Sequence, residues 1–268
     1  MSQAIPDITP EALSSWLRTE AIGRALLTLE STESTNLLLE QLAPSSPHGL
    51  VVVADHQTGG RGRNGRAWLS PPQRNLTFSM LLKPEAPPSI VPQLSIVAAL
   101  SMHAALAGLA PGLDAAVKWP NDVWIGGRKA CGILCTMSCI GDKTEHAVLG
   151  IGLNVNVTQA ELPAELQERT TSLRIALGGS FDRCGVLAAF LNTFEQDYAL
   201  WMQAGSLSPF LPKWDQASLL DGHSITAEHG HETIIGIARG ITPDGQLRLE
   251  ANGAVTLIAA GDVARVRM

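Results

Sequence analysis

Residues 56–68 read HQTGGRGRNGRAW and come shortly after an apolar run, LVVVA at 50–54. The apolar run predicts a buried strand, and the glycines and arginines after it predict an irregular loop. Glycine leaves backbone N–H groups unshielded, and arginine binds phosphate or carboxylate oxygens through two N–H groups at once. We therefore predict an anion-binding loop with Arg61, Arg63 and Arg66 as its cations. The alternatives are a solvated basic loop and an arginine–glycine nucleic-acid tail, but a position between core strands favours a functional loop.

A second polar motif, KWPND at 118–122, follows a predicted strand. Pro120 favours an extended bend, which places Asn121 and Asp122 at a strand end. Carboxylates are the ligands that Mg²⁺ prefers when it is bridged to nucleotide phosphates, so Asp122 is a candidate metal ligand. A simple Asn-Asp turn is the alternative, and the neighbouring Lys118 favours the functional interpretation.

Three further segments carry candidate residues. Lys129 precedes an apolar strand, where its charge would offset developing negative charge; the alternative is a hairpin lysine in solvent. Asn154 stands in GIGLNVN at 150–156, and glycines inside a strand often mark the close approach of a ligand or another backbone. The STN segment at 34–36 begins a predicted helix, which by itself is typical of an N-cap.

The remaining sequence predicts an α+β fold in two parts. Periodicity and breakers predict helices at 10–20, 34–42, 92–109, 162–177 and 183–204, and strands at 50–54, 75–82, 115–119, 123–125, 130–140 and 146–157. Towards the C-terminus, five short strands separated by Gly-containing turns predict a small barrel. We place the domain boundary near Trp214, which divides the chain into residues 1–214 and 215–268.

Composition limits the possible partners and compartments. The net charge of −6 argues against nucleic acid as the main partner. The sequence has neither a secretory signal pattern nor an uninterrupted apolar stretch of membrane length, so we expect no membrane span. Cys131, Cys135 and Cys139 are spaced to share one face of a strand as core thiols, with metal ligation as the weaker alternative. Nothing resembles a disulfide framework, which predicts a cytoplasmic protein.

The order and spacing of these motifs, from Ser31 to Asn156, resembles the biotin–protein ligase family. The resemblance implies a mixed β-sheet with packed helices, like the catalytic domain of class II aminoacyl-tRNA synthetases, followed by an SH3-like barrel. It implies an enzyme that uses ATP and Mg²⁺ to convert biotin to biotinyl-5′-AMP and pyrophosphate. Biotin would then pass to a lysine of a biotin carboxyl carrier protein or domain of a carboxylase.

The resemblance also assigns roles to individual positions. The biotin-binding positions would be Ser34, Thr35, Asn36, Gln57, Gly60, Arg61, Gly62, Arg63, Lys129 and Gly132. The ATP- and adenylate-binding positions would be Arg61, Arg63, Arg66, Trp68, Lys118, Asn121 and Asn154. Lys129, Arg63 and Asp122 would be catalytic, with Asp122 also the metal ligand. In some relatives a C-terminal arginine reaches the nucleotide, and the sequence leaves open whether this is Arg265 or Arg267.

Two features bear on the type of ligase. Thr136 stands where relatives often carry an acidic residue, which leaves any role for that carboxylate open. About thirty residues precede the STN segment, too few for the helix-turn-helix of bifunctional relatives, so we expect a monofunctional ligase. The competing hypotheses are a lipoate ligase or octanoyltransferase of related fold, a non-enzymatic biotin sensor or DNA-binding regulator, and an RNA-binding module.

Overall fold

The computed structural model describes residues 7–229, 232–259, 261 and 263–265. Within this part of the chain the α-helices are α1 (Pro10–Trp16), α2 (Thr35–Leu42), α3 (Leu94–Leu109), α4 (Leu173–Leu177), α5 (Arg183–Ala204) and α6 (Leu211–Ala217). The strands are β1 (Leu26–Thr32), β2 (Val51–Gln57), β3 (Leu76–Leu82), β4 (Ala115–Lys118), β5 (Asp122–Ile125), β6 (Arg128–Ile140), β7 (Lys143–Leu153), β8 (Ser224–His229), β9 (Glu232–Ile241), β10 (Leu247–Ala251), β11 (Ala254–Ile258) and β12 (Val263–Arg265).

The first seven strands form one mixed sheet in the order β1-β2-β3-β7-β6-β5-β4. Only the β1–β2 pair in it is parallel, and every other neighbouring pair is antiparallel. Because side chains alternate along a strand, the sheet has two different faces. Phe78 and Met80 of β3 point to the main core, whereas Leu81 belongs to a smaller cluster with Leu39 of α2. The mixed sheet with packed helices predicted from the sequence is confirmed.

Helices α3 and α5 pack against each other over the main core. Along α5, Phe190, Phe194, Tyr198 and Trp201 form a continuous series of ring contacts with centroid distances of 5.6 to 6.0 Å. In the described residues one helical segment, Val91–Leu109, is long and apolar enough to cross a membrane by length and composition, and 67% of its most apolar window is buried. Its apolar character is therefore accounted for by packing in the core.

The last five strands form a separate antiparallel sheet in the order β11-β10-β9-β8-β12. The turn at Gly245 of this sheet lies against the part of the chain that forms the large sheet. The Gly245 carbonyl accepts a 2.9 Å hydrogen bond from the Trp119 indole. Helix α6 spans the predicted domain boundary at Trp214 and packs on both β4 and β9. The boundary itself stays a prediction.

Several sequence expectations about local structure are wrong. The helix predicted at 162–177 is only α4, preceded by two 3₁₀ turns, because the chain before it pairs with the backbone of Lys129. The first helix ends at Trp16 rather than at residue 20, and β1 was not predicted. Cys139 lies near the end of β6, where Met137 and Ile140 are also exposed, so the expectation of three core thiols fails there.

Candidate active site

A cavity of about 610 Å³ lies on the α2 face of the large sheet and is closed on one side by the C-terminal sheet. It brings together nearly every position singled out from the sequence: Ser34, Thr35, Asn36, Gln57, Arg61, Gly62, Arg63, Arg66, Trp68, Lys118, Asn121, Asp122, Lys129, Gly132 and Asn154. Gly60 is the exception. It lies behind the wall, where a Cβ would stand 2.7 Å from Gln57 Nε2 and 2.9 Å from the Trp68 carbonyl oxygen.

The glycine–arginine loop is a short hairpin rather than an open coil. Gly62 N–H donates to the Arg66 carbonyl at 2.7 Å, and Trp68 N–H donates to the Gly60 carbonyl at 2.9 Å. At the tip, Asn64 has a φ of 56° and Gly65 a φ of 71°, conformations that favour glycine and asparagine. The hairpin therefore fixes where the arginine side chains begin.

A buried ion pair anchors both ends of this loop. Arg183, which is 2% exposed, contacts Asp55 at 2.7 Å and also donates to the Asn75 carbonyl at 3.1 Å. Asp55 lies on β2, the strand that enters the loop, and its carboxylate also accepts the N–H of Gln73, in the segment that leaves the loop. The Asp55 side chain therefore joins the two ends of the loop. Asp7 binds the outer edge of the same guanidinium. These contacts stabilise the charge of Arg183 and raise its pKa despite its burial.

At one end of the cavity a buried polar network holds the start of α2. Gln57 Oε1 accepts from the Thr35 N–H at 2.7 Å. The Ser79 hydroxyl lies 2.6 Å from Thr35 Oγ1 and 2.5 Å from Asn36 Oδ1. A Cβ on Gly150 would stand 2.0 Å from Asn36 Oδ1, so only glycine at this position lets Asn36 approach the sheet.

The floor of the cavity is a row of directly paired residues across four strands. Thr77 of β3 faces Gly152 of β7, and Gly152 faces Gly132 of β6, which in turn faces Asp122 of β5. The Trp68 indole rests on the two glycines, because Cβ atoms there would stand 2.2 Å and 3.2 Å from its ring. Asp122 closes the row with a carboxylate.

At the Asp122 end of the floor, Lys129 Nζ lies 2.7 Å from Asp122 Oδ1 and 5.9 Å from the Trp68 ring centroid. The main chain of Lys129 is fixed independently. Its N–H donates to the Arg169 carbonyl at 2.8 Å, and its carbonyl accepts from the Thr171 N–H at 2.9 Å. The backbone of Lys129 is therefore held in place whatever its ammonium group contacts.

Arg63 and Asn121 join the loop to the rest of the cavity wall. Arg63 donates to Asn121 Oδ1 and to the Gly261 carbonyl, each at 3.4 Å, so it touches both sheets. Asn121 in turn donates to the Ile133 carbonyl. The turn that presents Asn121 contains a cis Trp119–Pro120 peptide, where the sequence had predicted an extended bend.

Of the remaining sequence candidates, Lys118 and Asn154 line the cavity. Lys118 Nζ lies 4.7 Å from the Trp124 ring centroid, and Asn154 Nδ2 donates to the Thr171 carbonyl at 3.1 Å. Thr136 donates to Glu40 and does not line the cavity. The side chain of Arg265 and all of Arg267 lie outside the described residues.

The described residues contain no group of three or more His, Cys, Asp or Glu side chains that would form a metal site on their own. Two cysteines of β6, Cys131 and Cys135, are unsuited to bind a metal. Burial raises the pKa of Cys131, and it raises the pKa of Cys135 to about 12. Both thiols therefore stay protonated near neutral pH, which makes them poor ligands and poor nucleophiles.

Comparison with known proteins identifies the family. A family model described as the biotin/lipoate A/B protein ligase family matches residues 28–154. The bifunctional ligase/repressor BirA of Bacillus subtilis is 36% identical over 248 residues, which are 92% of this chain and 76% of that protein. The biotin–[acetyl-CoA-carboxylase] ligase of Mycobacterium tuberculosis is 32% identical, with 94% of each chain covered. The chain belongs to the biotin–protein ligase family.

A solved biotin–protein ligase has the same fold. The Aquifex aeolicus enzyme in complex with biotin and ATP superposes with a TM-score of 0.79 at 30% identity, covering 91% of this chain and 100% of that one. The superposition spans both sheets. The resemblance of ordered motifs noted in the sequence is thereby confirmed at the level of the family.

Sequence reasoning missed several residues that shape the biotin–protein ligase cavity. Ser79 and Thr77 lie in a strand recognised only by its apolar alternation, which gave no reason to single out its small polar members. Gly150 and Gly152 were noticed as strand glycines, and their role proves to be the close approach of Asn36 and Trp68. The C-terminal sheet contributes Thr226, Glu228, Thr233, Gly261, Val263 and Ala264 to the cavity, and no sequence signal marked them.

Proposed function

We infer that this chain joins biotin to ATP as biotinyl-5′-AMP and then transfers biotin to a lysine of a carrier protein. The observation that carries the proposal is convergence. Five cations line one cavity beside Asp122, and they come from three segments of an acidic chain: Arg61, Arg63 and Arg66 of the hairpin, Lys118 of β4 and Lys129 of β6. A carboxylate and a triphosphate repel each other, and a cavity with five cations reduces that repulsion.

In the first step a biotin carboxylate oxygen attacks the α-phosphorus of ATP. The bond from that phosphorus to the bridging oxygen breaks, and pyrophosphate leaves. We propose that Lys129 and Arg63 contact the reacting carboxylate and phosphate oxygens, where their charge stabilises the transition state. Trp68 would stack on adenine, and Asn121 and Asn154 would contact the nucleotide.

We propose that Asp122 would hold the Mg²⁺ that accompanies ATP, with Asn121 next to it in the sequence as a second oxygen-bearing side chain. The donor set fits, because Mg²⁺ usually takes one or two protein carboxylates and fills its remaining positions with phosphate oxygens and water. When bound, the ion would neutralise phosphate charge. The ion pair between Asp122 and Lys129 must loosen for both partners to serve the ligands.

The second step transfers the biotinyl group. The neutral amine of the acceptor lysine attacks the acyl carbon, the bond to the AMP oxygen breaks, and an amide forms with loss of a proton. The hairpin at 61–67 would shield the adenylate from water until then. We propose a biotin carboxyl carrier domain as the acceptor, and we propose that the C-terminal sheet is the SH3-like barrel expected from the resemblance.

The test is a reconstituted reaction with purified chain, biotin, MgATP and a biotin carboxyl carrier domain. We expect the acceptor mass to increase by one biotinyl group, we expect no increase when ATP is omitted, and we expect a much slower increase when Lys129 is replaced by alanine. Parallel reactions with lipoate and octanoate address the rival acyltransferases. Modification by lipoate or octanoate but not by biotin would refute the proposal.

A further inference from the structure

We propose that Ser79 is a positioning residue that sets the orientation of the Asn36 carboxamide, and through it the hydrogen-bond donors offered to the ureido oxygen of biotin. The inference rests on the function proposed above, because it takes biotin to be the ligand. Ser79 is fully buried and is not among the residues that line the cavity. Its effect on the ligand must therefore pass through its neighbours.

The position of Ser79 follows from the register of the sheet. It pairs with Val52 on one side and with Gly150 on the other, under the part of the sheet that α2 covers. Because Gly150 has no side chain, Asn36 descends from α2 until its amide oxygen meets the Ser79 hydroxyl at 2.5 Å. This contact joins the strand to the ligand-facing end of the helix.

The orientation of the Asn36 carboxamide sets the direction of this hydrogen bond. An amide oxygen can only accept, so with Asn36 Oδ1 at this contact the single Ser79 proton points at it. The Ser79 oxygen is then left to face the Thr35 hydroxyl at 2.6 Å, whose own single proton also has Gln57 Oε1 within reach at 3.1 Å. Gln57 is arranged in the same sense, with its side-chain oxygen directed to the Thr35 N–H at 2.7 Å. Both carboxamides therefore direct their oxygens into the protein.

The consequence is one N–H donor without an acceptor at this end of the cavity. Asn36 lines the cavity, its Nδ2 is buried, and no atom of the described residues accepts a hydrogen bond from it. A buried donor without an acceptor is costly, so this end of the cavity favours a ligand that brings one. The oxygen of a ureido group is such an acceptor.

The Ser79→Ala variant removes the one hydrogen bond that distinguishes the two amide orientations. The Asn36 carboxamide is then free to turn over and present its oxygen to the ureido oxygen, which is repulsive. We expect biotin to bind about tenfold more weakly. We expect the KM for ATP, and kcat at saturating biotin, to change less than about twofold, because Lys129, Arg63 and Trp68 keep their places.

Ser101→Ala is the matched control, since Ser101 is another fully buried hydroxyl, bonded to Asp197 at 2.8 Å and remote from the cavity. It should lower the urea midpoint of unfolding without changing the dissociation constant for biotin. A comparable loss of biotin affinity in both variants would show that any buried hydroxyl has this effect, and would overturn the proposal.

Titration calorimetry with three ligands closes the test. Desthiobiotin keeps the ureido oxygen, so Ser79→Ala should weaken it about as much as biotin. In 2-iminobiotin an imino nitrogen replaces that oxygen, so Ser79→Ala should weaken its binding by less than about threefold.

A double variant tests whether Ser79 acts through Asn36. When Asn36 is already replaced by alanine, adding Ser79→Ala should raise the dissociation constant for biotin by less than about twofold. Equal losses for biotin and 2-iminobiotin, or full additivity with Asn36→Ala, would overturn the role of Ser79. Failure of the unaltered chain to bind biotin would instead overturn the proposed function.

Discussion

Lys129 Nζ and Asp122 Oδ1 lie 2.7 Å apart within the cavity, so the lysine that we expect at the reacting oxygens is already paired with a carboxylate. Both side chains are partly exposed, at 34% and 19%, which limits how strongly the pair stabilises the fold. The pair can therefore open at modest cost when anionic ligands compete for the lysine. The ion pair therefore holds the lysine in the cavity and leaves its ammonium group able to bind an anionic ligand.

Replacing Lys129 by alanine should slow adenylate formation by about 100- to 1000-fold while the protein stays folded. The backbone bonds of Lys129 to Arg169 and Thr171 do not depend on its side chain, which is why the fold should survive. The measurement is pyrophosphate release in a single turnover, with circular dichroism as a check. Lys143→Ala, an exposed lysine at the start of β7, serves as the control. Unchanged single-turnover kinetics would remove Lys129 from the mechanism.

Replacing Arg63 by alanine should speed release of biotinyl-5′-AMP by about tenfold or more, because its contacts to Asn121 and Gly261 close the loop over the cavity. The rate is measured by trapping released adenylate after dilution into unlabelled biotin and ATP. Arg248→Ala, on an exposed position of β10, should leave the rate unchanged. A wild-type release rate in Arg63→Ala would argue against closure by this hairpin.

Gly150 and Gly152, both on β7, should differ in which substrate their substitution affects. A Cβ on Gly150 would meet Asn36 Oδ1 at 2.0 Å, whereas a Cβ on Gly152 would meet the Trp68 ring at 2.2 Å. Gly150→Ala should therefore raise the KM for biotin by about tenfold or more, and Gly152→Ala should act chiefly on the KM for ATP. Gly179→Ala, where nothing stands within 4 Å, is the control. Identical effects on both substrates would contradict the assignment.

The ion pair under the loop should matter for stability. Asp55→Ala leaves the buried Arg183 with only part of its neutralising charge, and should cost about 3–5 kcal/mol of unfolding free energy in urea. Asp7→Ala removes a partner whose side chain is 44% exposed, and should cost clearly less. Equal losses in the two variants would mean that the loop anchor has no special importance.

Cysteine reactivity tests which thiols of β6 are buried. At pH 8 iodoacetamide should modify Cys139, which is exposed, before Cys131 and Cys135. Mass spectrometry of the alkylated peptides gives the order of modification.

The buried thiol of Cys135 should make stability depend on pH. Burial raises the pKa of Cys135 to about 12, so Cys135 keeps its proton in the folded chain at a pH where the unfolded thiol, with a pKa near 9, has lost it. The free energy of unfolding should therefore fall as the pH rises above about 9. Urea midpoints of unfolding at increasing pH check this expectation.

Nearly all the residues singled out from the sequence lie together in one cavity, and their roles stay predictions. Arg63, Asp122 and Lys129 each had a structural alternative in the sequence, and the order of the motifs, through the family resemblance, decided between the two interpretations. Strand β1 escaped notice because its burial is only partial and its LLTLEST pattern lacks clear alternation. The 162–177 segment has helical composition, yet its backbone groups bond to Lys129 instead, and that tertiary competition leaves no mark in the sequence.

Ser79 shows a different limit. A serine in an otherwise apolar strand is compatible with many roles, and the role proposed here depends on its partner on the adjacent strand, Gly150 of β7, having no side chain. Such an arrangement can be recognised only once the register of the two strands is known. The same holds for Gly261, whose carbonyl reaches Arg63 from a different sheet almost two hundred positions along the chain.

The contact between Arg63 and Gly261 has a practical corollary for anyone shortening this protein. A fragment that ends after the first sheet would keep every residue of the sequence motifs from Ser34 to Asn154. It would lack one wall of the cavity and the Gly261 carbonyl that accepts from Arg63. The small terminal sheet is thus a structural part of the compartment in which the chemistry occurs, and trimming it would leave that compartment open to water.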